Sequence, residues 1–163
     1  MRRYSSIKLY IVTAILSFSC LLAGGANDVV GVWLTDCGEC KIEIYPVEDD
    51  STYSGKIVWL KEPLIPEGQP NEGRPKVDTE NPDEELCGRP MIGLELLWGF
   101  VYNPDTDRWE HGRIYNAENG KTYYAFVELK DEDHLRLKGS LDKRGWLGKS
   151  TIWTRTDNIK TDD

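Results

Sequence analysis

The segment WEHGRIYNAENGKTYYAFVEL, residues 109–129, contains two runs of alternating side chains separated by a turn. Hydrophobic and polar residues largely alternate over 109–115 and again over 123–129, and a period of two is typical of half-buried β-strands. Between the two runs, the pair Asn119-Gly120 supplies the backbone conformations that a tight hairpin turn requires. The segment therefore predicts an antiparallel β-hairpin.

The same period of two extends along most of the chain in both directions. It covers 30–35, 41–44, 53–59 and 94–100 before the hairpin, and 135–141 and 150–155 after it. Two of the alternating apolar sets are Val30, Val32 and Leu34, and Leu94, Leu96, Trp98 and Phe100. Polar turns at 103–107, 131–133 and 142–145 separate the runs, and no stretch shows sustained helical spacing. About eight short strands predict one all-β domain, either an up-and-down antiparallel barrel or a sandwich.

One segment, about 61–90, does not fit the strand pattern. It contains six of the eight prolines of the chain, together with Gly68, Gly73 and many carboxylates. Long loops without secondary structure are uncommon inside compact domains, and they serve as lids or binding loops or are disordered. The segment is predicted to be a long proline-rich loop, with a short helix around 83–86 as the alternative.

The first 26 residues have the layout of a secretory signal peptide. Arg2, Arg3 and Lys8 precede an uncharged, mostly apolar run over 9–23, and small residues follow at 24–26. The run is short for a membrane span, so none is predicted. We expect a signal peptide at 1–26, a mature domain at 27–163 and a periplasmic or secreted protein. Lipid attachment at Cys20, which would anchor the protein in the envelope, is the alternative, although the preceding residues match a lipoprotein signal poorly.

The acidic balance of the chain restricts its partners. The 20 Lys and Arg residues face 28 Asp and Glu residues, a net charge of −8. Removing residues 1–26 removes three of the positive charges, which leaves 17 against 28 and a net charge of −11. Such a surface repels the phosphates of nucleic acids and the headgroups of anionic lipids, and nucleic-acid binding is not expected. A basic protein partner or a cationic ligand is compatible with it.

The cysteines and histidines give weak signals for chemistry. Cys37 and Cys40 form a CxxC, which predicts either a disulfide across a tight turn, since thiols outside the cytoplasm tend to pair, or two free thiols that flank a turn. A zinc site would need Cys87, His111 or His134 as further ligands, and a redox site would need a following helix, so neither is favoured. The chain has no nucleophile-elbow serine, phosphate loop or HExxH motif. No catalytic residue, metal or cofactor is predicted.

Several short segments stand in an order that resembles a known family. They are GVWLT at 31–35, YSGKIVWL at 53–60, DTENP at 78–82, RPMIGL at 89–94, WEHGRIY at 109–115, GKTY at 120–123, LG at 147–148 and WTR at 153–155. Together they resemble the bacterial family catalogued as domain of unknown function 2147, over nearly the whole mature chain. His111 departs from the family pattern, in which a second glycine usually precedes Gly112.

The resemblance implies a lipocalin-like (calycin) fold, an eight-stranded antiparallel barrel, and no established activity. Barrels of this type begin with a Gly-x-Trp strand whose indole lies against an arginine of the last strand. Here Trp33 and Arg155 stand at those positions, and a guanidinium over an indole gains about 0.5–2 kcal/mol. The pair is predicted to be a structural latch that closes the barrel.

Two groups of residues are candidates for ligand binding. Aromatic residues at Trp59, Trp98, Trp109, Tyr115 and Tyr123 would line a pocket or, alternatively, only fill the barrel. The polar residues Lys56, Asp78, Asn81 and Arg89 lie on the long loop or on the strand leading into it. The alternative for this polar group is structural, with an Asp78–Arg89 salt bridge that staples the loop to the barrel.

The leading functional hypothesis is a non-enzymatic exported barrel that binds a small, partly apolar ligand, with the long loop covering its mouth. The first alternative is a protein-partner module, such as an envelope assembly factor or an inhibitor of a basic enzyme. The second alternative is a hydrolase.

Overall fold

The computed structural model describes residues 24–47, 51–157 and 159. Eight strands lie within these residues: β1 (Gly31–Leu34), β2 (Cys40–Val47), β3 (Thr52–Leu60), β4 (Glu95–Asn103), β5 (Arg108–Asn116), β6 (Lys121–Leu129), β7 (His134–Ser140) and β8 (Gly148–Thr156). Each strand pairs antiparallel with the next, and β8 pairs with β1 to close a barrel. The predicted all-β, eight-stranded antiparallel barrel is therefore confirmed. No helix in the described part of the chain is long and apolar enough to cross a membrane.

The barrel is closed at one end by a short 3-10 turn, Ala26–Val29, which precedes β1. Three side chains from the barrel interior bond to this turn. The indole Nε1 of Trp33 donates to the carbonyl of Val29 at 2.9 Å, and that of Trp109 donates to the carbonyl of Ala26 at 2.9 Å. The hydroxyl of Tyr53 donates to Asn27 at 2.9 Å. We call this end, where β1, β3, β5 and β7 begin, the closed end, and the opposite end the open end.

Arg155 joins the last strand to the first. The Cα of Arg155 pairs with that of Trp33 in the β1–β8 register, and its guanidinium carbon lies 4.1 Å from the centroid of the Trp33 ring. The guanidinium also donates to three backbone carbonyls, those of Val30, Asp28 and Glu132, at 2.9, 2.6 and 2.7 Å. The structure thus places Trp33 and Arg155 where the predicted latch requires them.

The strand phases differ from the prediction in β1 and β4. In β1 the interior position belongs to Trp33, which is fully buried, while Val32 and Leu34 are only half-buried. In β4 both Leu97 and Phe100 are buried, and the residue between Trp98 and Phe100 is Gly99 with a φ of 72°. A left-handed residue inserted into a strand shifts the alternation by one position. The prediction of Leu94, Leu96, Trp98 and Phe100 as one regular face was therefore wrong.

A second irregularity lies in β5 at His111. The β5–β6 register shifts between Trp109 and Gly112, and His111 has a φ of 64° in the left-handed region that favours glycine. Gly112 faces the interior, where an added Cβ would lie 2.3 Å from the ring of Phe100. Two residues of β5, Glu110 and His111, therefore oppose one residue of β6, Phe126.

The long loop lies between β3 and β4 and is fastened to the barrel by Asp78. Within the loop the described residues form no strand or helix, apart from isolated bridges of Leu64 with Pro75 and of Val77 with Pro90. Asp78 is only 1% exposed, and its two carboxylate oxygens accept hydrogen bonds from Tyr115 and Asn81, both at 2.9 Å.

The staple differs from the one predicted. Arg89 donates to the carbonyl of Leu86 at 3.1 Å and forms no ion pair with a carboxylate of the described residues. The Asp78–Arg89 salt bridge considered as a structural alternative is therefore not formed. The backbone amide of Asp78 does bond to the carbonyl of Arg89 at 2.8 Å. At the predicted helix around 83–86 the chain forms a turn instead.

Replacing Arg155 by Ala should lower the free energy of unfolding by about 2–4 kcal/mol, because a cation–π contact and several charged hydrogen bonds are lost together. Chemical denaturation measures this change. Arg74→Ala, at an exposed loop residue, is the matched control and should cost less than about 0.5 kcal/mol. Equal effects of the two substitutions would contradict the latch.

The hydrogen bond from Tyr115 to Asp78 stabilises the fold, and this stabilisation is lost at alkaline pH. Burial, followed by the hydrogen bond and charge of Asp78, raises the pKa of Tyr115 to about 12. Since the folded-state pKa is raised above its unfolded value near 10, this stabilisation is complete below about pH 10 and is lost as the pH rises toward about 12. Denaturation midpoints measured from pH 7 to 12 should show this loss.

Tyr115→Phe should reduce that alkaline decline but not remove it, because the pKa values of Tyr45 and Tyr102 are also raised to about 12. At pH 7 the substitution should cost about 1–3 kcal/mol because buried Asp78 loses a donor. Tyr124→Phe is the control, since the ring of Tyr124 stacks under Arg113 at 3.9 Å and its hydroxyl has no hydrogen-bond partner among the described residues. If both variants decline with pH as the wild type does, the bond has no such role.

Candidate functional site

The interior of the barrel is filled at its closed end. The space left between Tyr53, Phe100, Trp109 and their neighbours amounts to a cavity of about 10 Å³, which holds one water at most. Trp109, a predicted ligand-binding residue, is 1% exposed and bonded to the closing turn. At this position the structure favours the alternative interpretation, in which aromatic residues fill the barrel.

The open end holds a cavity of about 360 Å³ inside the rim of strands β5 to β8. It is lined by Ile114, Asn116, Tyr123, Leu137, Gly139, Ser140, Leu141, Leu147, Gly148, Lys149 and Thr151. Ile114 pairs with Tyr123 across β5 and β6, and Leu137 pairs with Thr151 across β7 and β8. These positions continue the inward-facing sets of their strands, so the cavity is the mouth of the barrel.

Gly139 leaves space in the mouth because it has no side chain. It lies at an inward position of β7, and a Cβ placed on it would be 3.6 Å from Cγ2 of Ile114 on β5. A larger residue at this position would extend into the space between the two strands. The absence of a side chain here leaves the floor of the cavity open.

The cavity has apolar walls and a polar rim. Ile114, Leu137 and Leu141 supply the apolar surface, whereas Lys149 and Thr151 bring polar groups from β8. Lys149 is exposed and forms no ion pair with any described residue. Such a site suits a molecule with an apolar body and a polar or anionic end.

A second cleft, of about 310 Å³, lies outside the barrel under the long loop. It is lined by Asn81, Pro82, Leu86, Arg89, Glu95, Trp98, Tyr115 and Thr122. The cleft therefore brings together four residues that were candidates for ligand binding: Asn81, Arg89, Trp98 and Tyr115. Asp78 lies behind its wall, where both of its carboxylate oxygens are already used in fastening the loop.

The remaining predicted site residues are distributed over other surfaces. Lys56 pairs with Glu43 at 3.1 Å and lines neither cavity. Trp59 packs against Lys41, whose Nζ lies 4.8 Å from its ring centroid, and it lines neither cavity as well. Tyr123 is the predicted residue that lines the mouth.

Cys37 and Cys40 are both free thiols, so the predicted disulfide is not formed in this structure. The hydroxyl of Thr35 lies 3.4 Å from the Cys37 sulfur and 3.6 Å from the Cys40 sulfur. Burial raises the pKa of the Cys40 thiol, which disfavours the reactive thiolate. Cys87 is also free, and its thiol donates to the carbonyl of Thr79 at 3.5 Å. Cys20 lies outside the described residues.

The described residues contain no group of three or more His, Cys, Asp or Glu side chains that could hold a metal ion. His134 bonds to Asp131 at 2.8 Å beside an exposed turn, and His111 is exposed at the β5 irregularity. Neither histidine lies in the mouth cavity.

Most of the mouth residues were missed at the sequence level because they are aliphatic and resemble any other core position. The alternation over 135–141 did place Leu137, Gly139 and Leu141 on one face. A glycine at an inward position of such a set leaves an empty volume, and Gly139 is the signal that could have located the cavity.

Comparison with solved structures supports the fold. HP1028 of Helicobacter pylori, described as belonging to the lipocalin family, is 23% identical to this chain, with a TM-score of 0.64. The match covers 79% of this chain and 83% of HP1028, and it shows that the barrel is lipocalin-like. No curated protein matches the chain in a sequence search.

The family comparison covers almost the whole barrel. A family model described as "Uncharacterized protein conserved in bacteria (DUF2147)" matches residues 31–155, from the first residue of β1 to the arginine of the latch. All of the segments quoted for the resemblance lie within this range. The chain belongs to the DUF2147 family and has its lipocalin-like barrel.

Proposed function

We propose that this protein binds a small, partly apolar molecule in the mouth of its barrel. The observation that carries the proposal is the cavity of about 360 Å³ at the open end. Its volume falls within the range of about 300–1,000 Å³ that is typical of small-molecule sites. The closed end offers no comparable space, with a cavity of about 10 Å³.

The lining defines the chemistry of the ligand. The apolar walls formed by Ile114, Leu137 and Leu141 favour burial of a hydrocarbon or aromatic group. At the rim, Lys149 offers a cation without an ion-pair partner among the described residues, and Thr151 offers a hydroxyl. We therefore assign the polar or anionic end of the ligand to the β8 side. The lipocalin-like fold supports this role by analogy only.

Gly139→Leu should plug the mouth without disturbing the closed end. We expect it to weaken binding of the neutral apolar probe N-phenyl-1-naphthylamine at least about tenfold, because the side chain occupies the space that the probe needs. Probe fluorescence measures the affinity. Ser150→Leu, at an exposed outward position of the neighbouring strand, is the matched control. Equal affinities of the two variants would rule out the mouth as the site.

Lys149→Gln should show whether Lys149 binds the anionic end of the ligand. The anionic probe 8-anilinonaphthalene-1-sulfonate should bind the variant a few-fold more weakly, since its sulfonate loses a cation. Binding of neutral N-phenyl-1-naphthylamine should change by less than about twofold. A parallel loss for both probes would mean that Lys149 supports the mouth and does not read the charge of the ligand.

We also infer that the protein acts outside the cytoplasm, in the periplasm or after secretion, as the N-terminal pattern predicts. The hydrogen bonds of the closing segment favour a signal-peptide cut before Gly24. Gly24 accepts a bond from the Tyr102 hydroxyl at 2.8 Å, and Ala26 accepts one from Trp109. A cut after Ala26 would remove both acceptors and leave the indole N–H of buried Trp109 without a partner.

Intact-mass measurement of the protein purified from its own host tests this inference. The mature N-terminus should lie at or before Gly24, and an additional lipid mass on Cys20 would identify the anchored form. Protein from cells with blocked secretion is the control and should keep the full 163 residues. A mature protein that still begins at Met1 in untreated cells would contradict export.

A further inference from the structure

The loop between β7 and β8, residues 141–147, carries the most exposed apolar side chains of the described structure. Trp146 is 82% exposed, and Leu141 and Leu147 are each 69% exposed. Single exposed leucines are ordinary, but three large apolar residues on one seven-residue loop are not. The loop lies at the open end, and Leu141 and Leu147 also border the mouth cavity.

The same loop carries positive charge. Lys143 and Arg144 are exposed, and neither forms an ion pair with a carboxylate of residues 24–47, 51–157 or 159. Both line a groove of about 410 Å³ on the outer surface, whose opposite wall includes Arg108 and Arg113. Four cations therefore converge beside the loop in a chain whose net charge is −8.

Two carboxylates beside these cations, on the loop and on the groove wall, accept hydrogen bonds from other groups. Asp142, the one acidic residue of the loop, accepts the backbone amides of Trp146 at 3.1 Å and Leu147 at 2.8 Å. Glu110, on the groove wall, accepts hydrogen bonds from Asn103 and Thr106, both at 3.0 Å. Arg108 forms an ion pair with Glu128 at 3.6 Å, so Arg113, Lys143 and Arg144 supply the positive charge that is available to an external anion.

The loop also has a defined shape. The two bonds to Asp142 close it into a turn, and Gly145 is buried with a φ of 73°. A Cβ on Gly145 would lie 3.3 Å from the ring of Phe126, so the loop folds back against the outer surface of β6. This packing presents Trp146 to solvent in a fixed position.

We propose that this loop docks the open end of the barrel onto an anionic lipid surface. A tryptophan and leucines flanked by Lys and Arg are the residues that enter the interface between lipid headgroups and acyl chains. Salt limits the repulsion from the overall negative charge, because interactions between exposed charges more than about 8–10 Å apart are largely screened. We favour a lipid surface over a folded protein partner because large apolar and cationic side chains are exposed together on one short loop. The proposal does not depend on a ligand in the mouth.

Co-sedimentation of the mature protein, without its signal peptide, with lipid vesicles tests the proposal. The protein should bind phosphatidylcholine vesicles that contain about one third phosphatidylglycerol, and should bind pure phosphatidylcholine at least about tenfold more weakly. Trp146→Ser should reduce binding to the anionic vesicles about tenfold. The double variant K143E/R144E should reduce it by at least as much.

Matched controls separate the loop from the general surface. Leu64→Ser removes another exposed leucine, and R74E/K76E makes the same change of charge on the long loop. Both controls should bind anionic vesicles as the wild type does, and all variants should keep the wild-type melting temperature because the altered side chains are exposed or half-buried.

Three results would overturn the proposal. The first is equal binding to neutral and anionic vesicles. The second is an equal loss in the loop variants and their controls, which would indicate diffuse charge. The third is release from vesicles by about 10 mM inorganic phosphate at constant ionic strength, which would indicate a discrete phosphate site in the groove and no docking surface. Quenching of Trp146 fluorescence by spin-labelled lipid, absent in W146F, is the expected result of insertion.

Discussion

Closure of the barrel by Arg155 is the interaction on which the rest of the structure depends. β1 has only four residues, and its ladder to β8 is correspondingly short. The guanidinium of Arg155 adds a stacking contact with Trp33 and bonds to backbone carbonyls before β1 and before β7. With this junction in place no strand edge is left unpaired, and unpaired edges would otherwise invite association with other chains.

The packing at the closed end also determines where the barrel interior can hold a cavity. The indoles of Trp33 and Trp109 bond to the closing turn, so their bulk fills the adjacent interior. Near the opposite rim, Gly139 on β7 has no side chain to extend toward Ile114 on β5. The barrel is filled at its closed end and has a cavity at its open end. The Asp78 staple keeps the long loop on the outside of β5, where it leaves the mouth cavity uncovered.

The sequence predicted the barrel well because alternation and turn chemistry are local signals. The strand number, the antiparallel order and the Trp33–Arg155 pair all agree with the structure. The inward and outward positions of β4 could not be predicted, because Gly99 shifts the alternation of side chains. The sequence does not show whether a glycine inside a strand forms a bulge. For the site, aromatic and charged residues drew attention, but Trp109 was needed for the core and Asp78 for the staple. The mouth is built from aliphatic residues around Gly139. In the sequence these residues look like ordinary core positions, and the structure alone shows that they surround a cavity.

We propose that a small ligand enters the barrel at its open end. A two-dimensional NMR titration of the isotope-labelled protein with N-phenyl-1-naphthylamine tests it most directly. We expect the backbone amide shifts to concentrate at Ile114, Tyr123 and Gly139, while the amide of Tyr53 at the closed end does not shift. Shifts concentrated at Asn81 and Arg89, in the cleft under the long loop, would contradict it.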